Sequence, residues 1–372
     1  MEEKAYWVGF NLVKGIGSVR LHGLLDFYGH LNIAWQAPAD SLRAAGLSQK
    51  IIENLLAIRN RVNLEGLLER YRNQGIEVMT WEDDFYPKRL KEIDQPPPVL
   101  YLRGKLVPED SWTVAIVGTR RITSYGRQIT EELSGYLASN GVTIVSGLAR
   151  GVDKVAHEAA LQAGGRTLAV LGCGVDRVYP PEHLQLAEKI INQGALISDY
   201  PPGTPPEGMN FPPRNRIISG LSQAVVVIEA GETSGALITA TFAAEQGREV
   251  FSVPGNIHAP QSKGTNRLIR DGARPLLRVE EVLEILNLQQ IQEHRLARTL
   301  LPVDDVEACL LKVLGDEPLH VDEIRSQSGL PIDKVSATLA MMELKGMVRQ
   351  VGGMNYITLR ETNSEYWIDP NE

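Results

Sequence analysis

Two short apolar runs, each breaking into a loop that carries glycine and arginine, restrict what residues 114–153 can fold into. Val114-Ala-Ile-Val117 opens into Gly118-Thr-Arg-Arg121, and Val142-Thr-Ile-Val145 opens into Ser146-Gly147 and then Arg150-Gly151. A strand that runs through a glycine-rich loop into a helix directs unpaired backbone N–H groups beyond the strand tip. The partial positive charge of the helix N-terminus adds to the attraction for an anion there. Two arginine-bearing tips of this kind point to a phosphate-rich ligand.

The same rhythm continues from Ile76 to about Leu286. Apolar runs predict strands at Glu77–Trp81, Val99–Arg103, Val114–Val117, Thr143–Val145, Leu168–Leu171, Leu196–Asp199, Ala224–Ile228 and Val250–Val253. Most are apolar on both faces, as in a parallel sheet covered by helices. Helices fit between them, for example over Arg127–Asn140 and Asp153–Ala163. The expected fold class is α/β, a Rossmann-like, doubly wound, mostly parallel sheet over residues 75–288, with ligands at the carboxyl ends of its strands. Residues 1–74 read as a helical module of helix-hairpin-helix or SAM-like type. Val13-Lys-Gly-Ile-Gly-Ser18 is its hairpin, and Ala44-Ala-Gly-Leu-Ser48 is a degenerate second copy. A Gly-Ile-Gly turn allows close approach to a DNA phosphate. Only one hairpin has both glycines, however, which fits a packing module without a ligand better. Residues 289–303 read as a linker and 304–360 as a winged helix, with helices at Val306–Val313, Val321–Ser328 and Ile332–Lys345. Its wing is Val348–Thr358, folded at Gly352-Gly353, and residues 361–372 form a tail.

Further strand ends repeat the opening theme. They read Gly172-Cys-Gly-Val-Asp-Arg-Val-Tyr-Pro180, then Tyr200-Pro-Pro-Gly203 followed by Asn210-Phe-Pro-Pro-Arg-Asn-Arg216, then Glu229-Ala-Gly-Glu-Thr-Ser-Gly-Ala-Leu-Ile-Thr239. On a doubly wound sheet these loops converge on one rim, so several such tips suit an extended, multiply charged ligand. Taken singly, each glycine is an ordinary turn residue and each arginine an ordinary ion-pair partner. Phe211, beside Arg214, has the setting of an aromatic that stacks on an unpaired base, where removal costs about 1–3 kcal/mol per base. By composition alone it also fits an anchor for a Pro-rich loop.

The chain's net charge of −8 argues against a generic nucleic-acid binder. The charge is unevenly spread, though. Residues 111–278 hold 16 Lys and Arg against 14 Asp and Glu, so the middle can still steer anions. The winged-helix segment, 303–360, holds 6 basic against 9 acidic residues and is poorly equipped to hold a duplex alone. No apolar run is long enough for a bilayer, and the N-terminus, MEEKAYWVGF, lacks the order of a signal peptide. A cytoplasmic protein is expected. Cys173 and Cys309 form no CxxC pair, so neither a disulfide framework nor a metal site is expected. No GxxxxGK[ST] loop, GxSxG elbow or GxGxxG after the first strand occurs. His157, on an expected helix, fits a structural role better than that of a general base.

With these residues in place, the chain resembles the bacterial DNA-processing protein A family, DprA or Smf. The matching stretches are VAIVGTRR, SGLARGVDKVAHEAAL, LGCGVDRVYP, NFPPRNRIISGLS, VIEAGETSGALITATFAAEQGREVFSVPGN and GTNRLIRDGA, nearly continuous from Val114 to Ala273. The resemblance implies a homodimeric single-stranded DNA-binding protein that protects incoming DNA and helps load the RecA recombinase during natural transformation. It implies no catalysed reaction, no cofactor and no metal. It places DNA contacts at Gly118, Arg120 and Arg121, at Ser146, Gly147 and Arg150, and at Asn210, Phe211, Arg214 and Asn215, with Lys263 and Asn266 added. The alternative is a Rossmann-type nucleotide N-glycosidic hydrolase, with Glu229 and Arg120 as its candidate groups.

Overall fold

The computed structural model describes residues 3–286, 305–314, 318–344, 348–351 and 353–358. The linker expected over 289–303 and the tail over 361–372 lie outside the described residues, as does Gly352 of the wing. The chain divides into two compact units, Met1–Glu284 and Ile285–Glu372.

The first unit opens with six helices: α1 Glu3–Asn11, α2 Ser18–Tyr28, α3 Leu31–Gln36, α4 Ala39–Ala44, α5 Gln49–Arg61 and α6 Leu64–Asn73. Gly15 joins α1 to α2 and Gly46 joins α4 to α5, both at positive φ (+99° and +88°). Trp7, Phe10, Leu24, Leu31 and Leu55 fill the interior of this bundle. The same core takes in Val78 of β1 (Glu77–Thr80) and Val99 and Tyr101 of β2 (Val99–Gly104). Tyr101 is fully buried, and its hydroxyl donates to Asn11 Oδ1 at 2.9 Å.

After the short helix α7 (Lys88–Lys91), strands and helices alternate as the apolar runs predict. The strands are β3 Thr113–Val117, β4 Thr143–Ser146, β5 Thr167–Val170, β6 Gly194–Ser198, β7 Ala224–Val227, β8 Glu249–Ser252 and β9 Arg274–Pro275. The helices are α8 Ser124–Ser139, α9 Val152–Gln162, α10 Leu184–Gln193, α11 Phe211–Leu221, α12 Gly235–Glu245 and α13 Lys263–Arg270, followed by α14 over 280–286. The sheet order is β1-β2-β6-β5-β4-β3-β7-β8-β9. The seven strands from β6 to β9 are parallel, whereas β1–β2 and β2–β6 pair antiparallel. Alternate residues serve opposite faces: Leu168 and Val170 pack with Ile217, Ile218 and Leu237 of α11 and α12. Ala169 and Leu171 pack with Ala187 and Ile190 of α10. The expected mostly parallel, doubly wound fold is therefore present. Its winding reverses at β3, which has β4 on one side and β7 on the other.

The second unit, described by itself, contains α15 Asp305–Val313, β10 Leu319–His320, α16 Val321–Ser328, α17 Ile332–Leu344, β11 Val348–Gln350 and β12 Asn355–Thr358. Leu310, Ile324, Val335, Leu339, Met342 and Val348 form its core beside a β10-β12-β11 sheet. Gly329, at φ +68°, closes α16 in the left-handed conformation that glycine tolerates best. Among the described residues no helix is long and apolar enough to cross a membrane.

Candidate nucleic-acid interface

The reversal at β3 leaves a crevice beyond the carboxyl ends of β3 and β7, where open α/β sheets bind ligands. A cavity of about 840 Å³ occupies it. The loop after β3 is held tightly from below. Thr119 N donates to Glu229 O at 2.7 Å, and Val152 N at the start of α9 donates to Thr119 O at 3.2 Å. A Cβ on Gly118 would lie 2.5 Å from Val152 Cγ2, so only glycine lets α9 approach this closely. Arg120 and Arg121 then project from a fixed base. Both are exposed, line the cavity and have no ion pair among the described residues.

Arg214 lines the same cavity from inside, only 4% exposed. Its Nη1 donates to Gly147 O at 3.1 Å and to Val170 O, and its Nε donates to Asn215 Oδ1 at 3.2 Å. Burial pushes this guanidinium down from its ordinary range, while Asp153 acts in the opposite direction. Asp153 is the only acidic residue lining the cavity among the described residues. Burial raises its carboxyl, against the Arg214 charge and backbone N–H groups of Ala149 and Gly147. The half-buried Phe211 ring has Arg120 Cζ 6.0 Å and Arg214 Cζ 5.8 Å from its centroid. Tyr179 lies 5.7 Å away, tilted by 38°. Two cations at cation–π distance and a second ring thus surround one aromatic ring.

The structure brings Gly118, Arg120, Arg121, Phe211, Arg214 and Asn215 together on this cavity. The other sequence candidates are not among its lining residues. Ser146 is fully buried, and its hydroxyl donates to Ile116 O at 2.6 Å, tying β4 to β3. Gly147 is buried and donates its N–H to Asp153 Oδ2 at 3.1 Å. Arg150 pairs on the surface with Glu182 at 2.5 Å. Asn210 caps a loop turn, with Nδ2 on Pro205 O at 3.4 Å. Lys263 lies 3.7 Å from Glu232. Asn266 holds the backbone of Gly255 by both its side-chain atoms, at 3.2 and 2.9 Å. Residues that the sequence candidates omit also line the cavity: Thr119, Tyr179, Thr233, Ser234, Gly235 and Thr239. The signal for the last four was a serine placed to cap an apolar helix. Ser234 Oγ does accept from Ala236 N at 3.4 Å.

Glu229, the glutamate of the hydrolase alternative, does not line the cavity. It is 3% exposed, and Thr123 donates to it through Oγ1 at 2.5 Å and through N at 2.9 Å. A Cβ on Gly126 would lie 2.3 Å from its Oε2. Glu229 is an anchor for the start of α8, with no route to a substrate carbon.

His157 is fully buried behind the cavity, with Nδ1 2.6 Å from Thr167 Oγ1 and no partner on Nε2. Burial, and then the charges of His183 and Arg214, pull it down to about 3. The unfolded imidazole protonates near 6.5, while the native one stays neutral. As pH falls through 6.5, the unfolded state binds the extra proton. Stability is then lost progressively down to about pH 3, by at most about 1.4 kcal/mol per pH unit. The raised carboxyls of Asp153 and Asp199 act with opposite sign, because the native state protonates them first on acidification. The expected result is a urea midpoint that falls between about pH 6.5 and 4.5 in the native sequence and falls less steeply in His157→Gln. Parallel profiles would remove His157 from this account.

A profile of the family described as DNA recombination-mediator protein A matches residues 77–287, and one for the DprA winged helix domain matches 294–354. Protein Smf of Synechocystis sp. is 40% identical to the chain, over 95% of it and 98% of that relative. The chain belongs to the DNA recombination-mediator protein A family. DNA processing protein DprA of Bacillus subtilis is 41% identical over 68% of the chain and 84% of its own length. The X-ray structure of DprA from Streptococcus pneumoniae superposes with a TM-score of 0.67 at 34% identity, covering 75% of this chain and 97% of that one. DprA from Helicobacter pylori, described for its single-stranded DNA binding mode, gives 0.52 at 32% identity over 57% and 97% of the two chains. As a member of the family, the chain is a recombination mediator and not an enzyme.

Proposed function

We propose that this protein binds single-stranded DNA in the β3–β7 cavity, protects incoming strands and helps to load RecA during natural transformation. It acts as a homodimer in the cytoplasm. The observation that carries the reading is a pair of exposed arginines, Arg120 and Arg121, without an ion pair among the described residues, beside a half-buried aromatic ring in a cavity lined by one carboxylate among those residues. Cations of this kind hold consecutive phosphates, and Phe211 with Tyr179 offers rings on which a splayed base can stack. The Helicobacter pylori relative supports the choice of a single strand. Dimerisation places two such cavities on one strand, and the second contact then gains from a raised effective concentration.

The test is a fluorescence titration of single-stranded and duplex oligonucleotides of equal length across salt concentrations. Single strands are expected to bind more tightly, and log K to fall against log salt by about 0.7 for each phosphate neutralised. Arg120→Ala and Arg121→Ala each flatten that slope by about 0.7 and weaken binding roughly tenfold. Folding stability moves by no more than about 0.5 kcal/mol, as for other exposed positions. A flat salt dependence, or native affinity in the double variant, would sink the reading. RecA nucleation on protein-coated strands, slower with the double variant, tests the loading role.

A further inference from the structure

The inner end of the cavity carries donors that a strand lying along its rim does not need. Helix α12 begins there at Gly235, capped by Ser234. Thr239, one turn in, lines the cavity and is 1% exposed, and its hydroxyl has no hydrogen-bond partner among the described residues. A helical threonine commonly returns its hydroxyl to the carbonyl four residues back. Thr241 does this with Leu237 O at 3.1 Å. For Thr239 that carbonyl belongs to Gly235, which instead accepts from Asn215 Nδ2 at 3.3 Å. The Thr239 hydroxyl is open to the cavity rather than sealed from solvent, so it is a donor available to a ligand there. Arg214 lines the same cavity, with its Nη2 free of hydrogen bonds among the described residues while Nε and Nη1 hold the protein's own oxygens. The wall behind these groups is core: Val117, Ile218 and Ala236 are 3%, 1% and 7% exposed.

We propose that this inner end is a subsite for a phosphate monoester, received by the α12 N-terminus, the Thr239 hydroxyl and Arg214 Nη2. The proposal rests on the DNA-binding reading for its main source, the phosphorylated end of a strand; a nucleoside monophosphate presents the same group. Val117, Ile218 and Ala236 back the cavity with apolar side chains, which suits a terminal phosphate better than one that must continue on both sides. A monoester ends there, carries nearly two charges and presents three strong acceptor oxygens.

The experiment uses the full chain and three thymidine oligonucleotides of one length, ending in a 5′-phosphate, a 3′-phosphate or hydroxyls only, with a parallel calorimetric titration of thymidine monophosphate. One phosphate-ended strand is expected to bind about tenfold more tightly than the hydroxyl-ended one, the size of one charge-assisted hydrogen bond. That ratio falls to about one in Thr239→Val and returns in Thr239→Ser. Binding of thymidine monophosphate that is lost in Thr239→Val, without a preference among strand ends, identifies the free nucleotide as the source. Equal affinity for all three ends with no nucleotide binding overturns the subsite while leaving the DNA reading intact. A preference that survives Thr239→Val overturns it as well. Failure to bind any oligonucleotide overturns the DNA reading, and the nucleotide titration then decides the subsite alone.

Discussion

Replacing Arg214 by alanine is expected to lower the unfolding free energy by about 3–5 kcal/mol, the cost of removing one member of a buried, charged network. The guanidinium is 4% exposed and reaches oxygens that end two neighbouring strands, Gly147 O after β4 and Val170 O in β5. Its loss leaves both carbonyls without that donor at the wall of the cavity. It also leaves the buried carboxyl of Asp153 without the largest opposing charge. Phe211 loses one of the two cations over its ring. Arg214→Lys keeps the charge but cannot fork to several oxygens, so it recovers only part of the loss. Chemical denaturation of the two variants checks this, with Arg120→Ala as the reference. If Arg214→Ala matches the native sequence in stability and differs only in DNA affinity, Arg214 is a free ligand arm and its structural role here is wrong.

Gly151→Ala is the second large effect. Gly151 precedes α9 with φ +77° and ψ −125°, a conformation nearly confined to glycine. Its missing side chain faces backbone: a Cβ would lie 2.2 Å from Thr119 O and 2.8 Å from the carbonyl carbon of Arg120. Backbone atoms cannot rotate away, so the loop that carries Arg120 must shift. The backbone conformation alone costs about 1–3 kcal/mol. With the displaced loop, a total above about 3 kcal/mol is expected, together with weakened oligonucleotide binding. Gly164→Ala is the control. Its φ is similar, +74°, but nothing lies within 4 Å of the added atom. It should lose only the conformational part, about 1 kcal/mol. Equal melting temperatures for the two variants would show that the Gly151–Thr119 contact is not as tight as described.

Much of the sheet was legible because a buried parallel strand has no polar face to disguise it. Val114–Val117 and Ala224–Val227 are apolar throughout. Strand β9 escaped because Arg274 and Pro275 carry no periodicity at all. The cavity was half legible. Arg120 and Arg214 look alike in sequence, each with glycine or proline nearby, yet one is exposed in the loop after β3 and the other, in the first turn of α11, holds the ends of β4 and β5 together. Depth below the rim is set by how α11 packs on the sheet, and no local pattern encodes that. Ser146 and Asn266 show a related difficulty: a small polar side chain that bonds the protein's own backbone has the same spelling as one that bonds a ligand. Thr239 stood at the end of the Glu229–Thr239 run, but nothing in that run separates it from a helical threonine bonded to its own backbone.

The shared interior of α1–α6 with β1 and β2 limits where this chain can be divided. The family profile begins at residue 77, but that point is a border of sequence similarity and not a seam in the matter. A fragment starting there would present Val78, Val99 and Tyr101 to water and leave the antiparallel margin of the sheet uncovered. The front helices are therefore better regarded as the plaster on one side wall of the building than as an annex. Changes in them should register as altered solubility of the whole first unit before they register as any change in what it binds.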